Sequence, residues 1–150
     1  MVINLEKGQI DTEGKIIWQI LTFFALEAHN QIEKIGPSKN WFEKESNDNK
    51  GANYLYGLCY SYMEYYGHVY DAQNKEQVVI FKEIYQHLWN MQLDNKHWNI
   101  NALTNDEKWS QLRIKSKKAL NILKLPYNPL RSPFWFPDII DMAHYGDPNA

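Results

Sequence analysis

Apolar residues recur along most of this chain at intervals of three and four, the spacing that gathers side chains onto one face of an α-helix. The first run predicts a helix over residues 11–35, with Asp11 or Thr12 as N-cap. Gly36-Pro37 ends it: glycine turns left-handed at no steric cost, and proline has no N–H with which to continue. Ile17, Ile20, Leu21, Phe24, Ala28, Ile32 and Ile35 share its core face. Ser38 then caps a short helix through Trp41 and Phe42, and residues 46–51 read as a polar turn.

A second long helix is predicted over residues 53–70. Leu55, Leu58, Cys59, Tyr62, Tyr66 and Val69 make its inward stripe. Tyr56, Tyr60, Met63 and Tyr70 form another, roughly 100° round the helix. Only the narrow strip of Gly57, Ser61, Glu64 and His68 is polar. A helix apolar over most of its circumference is either central in a bundle or carries a contact surface. The third helix, over residues 75–93, turns Val78, Phe81, Ile84, Tyr85, Leu88 and Trp89 inward. After an Asn-rich connection holding His97 and Trp98, Thr104 and Glu107 match the capping-box spacing and start a fourth. That helix buries Trp109, Leu112, Ala119, Leu120 and Leu123 and stops at Leu125-Pro126, because a residue before proline is pushed out of helical geometry.

The expected fold is therefore all-α, a single-domain bundle of four main helices. Pro126, Pro129, Pro133 and Pro137 exclude a helix in the next stretch. Phe134, Trp135 and Phe136 make it too apolar for a free linker, so residues 126–150 read as an arm packed on the bundle or on a partner. Asp138 to His144 reads as a last short helix within that arm.

Composition and the apolar runs add four constraints. Sixteen Lys and Arg against eighteen Asp and Glu leave a net charge of −2, so no global basic field favours nucleic acid or an anionic membrane. Cys59, the one cysteine, rules out an internal disulfide framework and suits a reducing compartment. The opening residues are acidic and contain no apolar run of a secretory leader. Ile16 to Leu26 is interrupted by Gln19 and Thr22 and falls short of the roughly 20 residues of a membrane span. A cytoplasmic location is expected, with neither nucleic acid nor membrane as partner.

Candidate chemistry is sparse. His29 with Glu33, Glu64 with His68, and Glu83 with His87 each stand four apart, but a di-iron bundle uses a spacing of three and inward glutamates. No phosphate-binding glycine loop, nucleophile elbow or metalloprotease helix occurs. Cys59 falls on the inward stripe, as a small hydrophobe rather than a thiolate. Lys108, Arg113, Lys115, Lys117, Lys118 and Lys124 crowd the fourth helix without an acid between them and read as a solvated face. No catalytic residue, metal or cofactor is assigned.

The tyrosine stripe and the aromatic arm remain. Tyrosine and tryptophan give a large contact area with a polar handle and are enriched among residues that dominate binding at interfaces. The sequence is accordingly read as a non-enzymatic module that binds another protein. The functional class it suits is the bacterial immunity protein or antitoxin, an inhibitor that neutralises a toxin enzyme by direct contact. Tyr56, Tyr60 and Tyr70 would anchor the contact, Glu64 and Asp71 would face a basic surface on the partner, and Phe134 and Trp135 would pack the arm. Two rivals stand beside it. One is a metal-dependent bundle enzyme using His29, Glu64, His68, Glu83 and His87. The other is a structural subunit or homo-oligomer joined through the tyrosine-rich helix.

Overall fold

The computed structural model describes residues 3–4, 9–10, 12–35, 42, 50–64 and 75–125. The chain is all-α, with six helices among the described residues rather than four. They are α1 (Thr12–Ala25), α2 (Ala28–Ile35), α3 (Lys50–Cys59), α4 (Lys75–Gln92), α5 (Ile100–Asn105) and α6 (Glu107–Ile122). A short antiparallel pairing precedes them, β1 (Ile3–Asn4) with β2 (Gln9–Ile10), in which Ile3 faces Ile10. Helix α6 is the axis of the packing: α1 and α4 lie against it, and α3 packs on α4.

The first long helix of the sequence reading is broken into α1 and α2. Thr22 begins the break, its hydroxyl donating to the Trp18 carbonyl at 2.7 Å, a back-bond that bends helices. Gln31 completes it. Its side-chain amide donates to the carbonyl of Phe23 at 3.0 Å and more weakly to that of Phe24 at 3.4 Å. The last carbonyls of α1, which lack partners in their own helix, thus find a donor on α2. Helix α1 is also buried nearly all round, with Ile16, Ile17, Ile20, Leu21, Phe23, Phe24 and Ala25 all inaccessible to solvent.

The second helix keeps Leu55, Leu58 and Cys59 inward, then widens at Tyr60–Glu64 into a π-helical turn. Bonding from i to i+5 turns the backbone less per residue than an α-helix. Met63, expected on the second stripe, is accordingly buried, and Tyr62, expected in the core, is only half-buried.

The connection before α6 is more ordered than its composition suggests. Asp94 caps a 3₁₀ turn at Asn95–His97 by accepting from the Lys96 N–H at 3.0 Å, and Asn99 caps α5 by accepting from the Ala102 N–H at 2.8 Å. Thr104 lies inside α5, and the N-cap of α6 is Asp106, which accepts from the Lys108 N–H at 2.8 Å. Trp98 and Trp109 form an edge-to-face pair 5.5 Å apart at the centre of the core, and Phe42 stands 5.7 Å from each. Both indoles are buried and both donate, Trp98 to the Met91 carbonyl at 2.8 Å and Trp109 to the His97 carbonyl at 2.7 Å. Truncating either ring would cost about 3–5 kcal/mol. The proline-rich arm expected over residues 126–150 lies outside the described residues.

Candidate functional site

Three histidine–glutamate pairs were candidates for metal chemistry, and among the described residues none of them joins a cluster that could hold a metal ion. His29 and Glu33 are both exposed on α2. Glu83 is exposed while its partner His87 is buried. His87 bonds to the Lys108 carbonyl through Nε2 at 2.8 Å and to the Lys115 ammonium through Nδ1 at 3.1 Å. Since ammonium only donates, Nδ1 accepts, which fixes a neutral ring carrying its proton on Nε2. Burial lowers the His87 pKa, and the charges of Lys115 and Lys108 add to that. Among the described residues no three His, Cys, Asp or Glu side chains gather where they could hold a metal ion. His68 lies outside the described residues.

A second histidine was missed as a structural element. His97 Nδ1 donates to Asp106 Oδ2, and the other oxygen of that carboxylate caps α6. One aspartate thereby ties the 3₁₀ turn to the helix that follows. Cys59 is fully buried, and burial pushes its thiol well above the ordinary range, so it supplies no thiolate.

The basic run on α6 is partly internal. Arg113, read as solvated, is half-buried between Gln31 and the Leu103 carbonyl, with Nη2 donating to both. Lys115 serves His87, and Lys117 pairs with Glu27 at 3.3 Å. A depression of about 460 Å³ near that pair is lined by Glu27, Lys117, Leu120, Asn121 and Leu125. Its two charges pair with each other, and among the described residues that line it no other is titratable.

What the structure does assemble is a surface cluster of rings from α3, the π-helical turn that follows it, and α4. Tyr56 lies 5.8 Å from Tyr60 and 5.1 Å from Trp89, and Tyr60 meets Tyr85 edge-on at 5.5 Å. Such separations are those of favourable aromatic pairs. The cluster is not core: Tyr60 is 42% exposed and Trp89 47% exposed. Leu93, just past the end of α4 and four residues beyond Trp89, is a further exposed apolar side chain at 68% exposure.

Glu64 stands at the edge of this cluster, one turn beyond Tyr60. Its carboxylate raises the pKa of all three phenols. For Tyr60 the largest cause is hydrogen bonding of its hydroxyl to Glu64, followed by that carboxylate's charge. For Tyr56 and Tyr85 desolvation comes first and Glu64 second. Among the described residues no cation forms an ion pair with Glu64.

The structure thus brings together Tyr56, Tyr60 and Glu64 of the sequence-assigned contact residues. It adds Tyr85 and Trp89, which the sequence reading had placed in the core. Tyr70, Asp71, Phe134 and Trp135 lie outside the described residues. The added pair was detectable in principle. The core stripe of α4 runs through Ile80, Ile84, His87, Leu88 and Met91, leaving Tyr85 and Trp89 on a second stripe like that of α3. No helix among the described residues is long and apolar enough to cross a membrane. No protein-family model, curated protein or solved structure matches this chain.

Proposed function

We propose that this chain is a non-enzymatic protein-binding module of the immunity or antitoxin type, which neutralises a toxin enzyme by docking through the Tyr56, Tyr60, Tyr85 and Trp89 face. The observation that supports this reading is the exposure of Tyr60 and Trp89 within a packed ring cluster edged by the Glu64 carboxylate. Rings fixed by their neighbours lose little freedom on binding, and rings of this kind dominate interface energetics. Glu64 and the net charge of −2 favour a partner with a basic surface, as charge complementarity speeds encounter and sets register. A cytoplasmic site of action belongs to the same reading and suits a chain with one buried thiol.

The test compares tagged wild-type chain and the Tyr60→Ser/Trp89→Ala variant, purified side by side from native cells. The reading expects one protein at near-stoichiometric amount with the wild type and not with the variant. It also expects that protein's own enzymatic activity to be suppressed by wild type alone. A copurifying protein retained equally by the variant, or no suppressed activity, contradicts it.

A further inference from the structure

The ring cluster has a chemical preference beyond its apolar area. The faces of tyrosine and tryptophan carry negative potential and attract cations. Glu64 adds a full negative charge beside them, half-buried and with no ion pair among the described residues. Glu64 shares the π-helical turn Tyr60–Glu64 with the exposed ring, and its charge raises the pKa of Tyr60, Tyr56 and Tyr85 alike, as a carboxylate beside the ring face would. A carboxylate has about four lone-pair sites, so besides the Tyr60 hydroxyl it has the capacity to accept further donors.

We infer that this face receives an arginine side chain of the partner protein, its guanidinium stacked on the exposed Tyr60 ring with its N–H groups on the Glu64 carboxylate. The arginine's aliphatic stem lies along Tyr56 and Trp89. A quaternary ammonium would be attracted by the rings but has no N–H for the carboxylate. A lysine ammonium donates but is strongly hydrated and has no plane to stack, whereas guanidinium is planar, weakly hydrated and forked. The inference rests on the protein-binding reading and names the group that the reading leaves open.

The direct test is a nuclear magnetic resonance titration of the full isotope-labelled chain, following the indole N–H of Trp89, assigned by its loss in Trp89→Phe. The probes are the blocked peptides acetyl-Gly-Arg-Gly-amide and acetyl-Gly-Lys-Gly-amide, and free arginine. The arginine peptide should shift the Trp89 signal along a saturating curve, with the lysine peptide at least roughly threefold weaker. Glu64→Gln, which keeps the shape of the side chain, should weaken the arginine peptide by roughly threefold or more. No saturable shift, equal response to both peptides, or an unchanged Glu64→Gln curve overturns the inference. Binding of free arginine about tenfold tighter than the peptide overturns it too, because the site would then recognise the amino acid itself. Partner capture that depends on Tyr60 and Trp89 while the arginine peptide gives no response would leave the protein-binding reading standing and this inference refuted.

Discussion

Arg113 holds the side-chain oxygen of Gln31 with two donors, Nε at 3.0 Å and Nη2 at 2.7 Å. Gln31 is fully buried, and its amide nitrogen donates to the Phe23 and Phe24 carbonyls at the end of α1, the first of which also accepts from the Leu26 N–H at 3.1 Å. Arg113 also donates to the Leu103 carbonyl, so one pair of side chains joins α1, α2, α5 and α6. Burial lowers the Arg113 pKa, and Glu27 partly offsets this, but a guanidinium stays protonated throughout the ordinary pH range.

Removing either member leaves buried polar atoms of the other without partners. Gln31→Ala and Arg113→Ala should each cost about 2–3 kcal/mol in urea unfolding. Because the two act as one unit, the double variant should lose about 1 kcal/mol less than the sum. Strictly additive losses would show that the pair is not coupled.

His87 makes the fold sensitive to acid. Its folded-state pKa lies below the unfolded value of about 6.5, so below that pH the unfolded chain takes up more protons than the folded one. Stability from the neutral ring is therefore complete above about pH 6.5 and declines as pH falls toward the folded pKa. The groups facing the ring, Lys115, Lys108 and His97, supply no carboxylate to reverse that sign. Wild type should lose more stability than His87→Gln between about pH 7.5 and 5.5. Equal losses in the two chains would remove His87 as the cause.

The end of α6 carries a local strain that substitution should relieve. Lys124 has φ 57°, its N–H donates to the Asn121 carbonyl at 3.1 Å, and the Leu125 N–H reaches back to Leu120 at 2.9 Å. This is the Schellman closure, in which the left-handed position is normally glycine. Lys124→Gly should raise stability by about 1 kcal/mol. A lower melting temperature would mean that the lysine side chain contributes more than its backbone costs.

Helix type and much of the core were legible in the sequence because periodicity reports burial directly: Ile17, Phe24, Leu55, Phe81, Trp109 and Leu120 all point inward as their spacing predicts. The break in the first helix was not legible. It depends on Gln31 reaching back in space to carbonyls of Phe23 and Phe24, with no glycine or proline to mark it. The start of α6 was displaced because Thr104 and Asp106 both suit a cap, and the His97 bond to Asp106 decides between them. Tyr56 and Tyr60 were placed off the core stripe, and neither is fully buried, whereas Tyr85 and Trp89 were absorbed into the core of α4 by their size. A large ring two stripes wide looks the same to periodicity whether solvent or another helix covers it.

On the proposed function, the ring face of Tyr56, Tyr60, Tyr85 and Trp89 carries the binding energy. Its most direct measurement is the dissociation constant for the copurified partner of wild type against Trp89→Ala, with thermal unfolding of both chains as control. Trp89 is half-exposed and outside the core, so the variant should keep its melting temperature while binding weakens by roughly thirtyfold, the loss expected of a dominant interface aromatic. An unchanged dissociation constant in a fully folded variant would contradict the claim and move the contact surface elsewhere on the molecule.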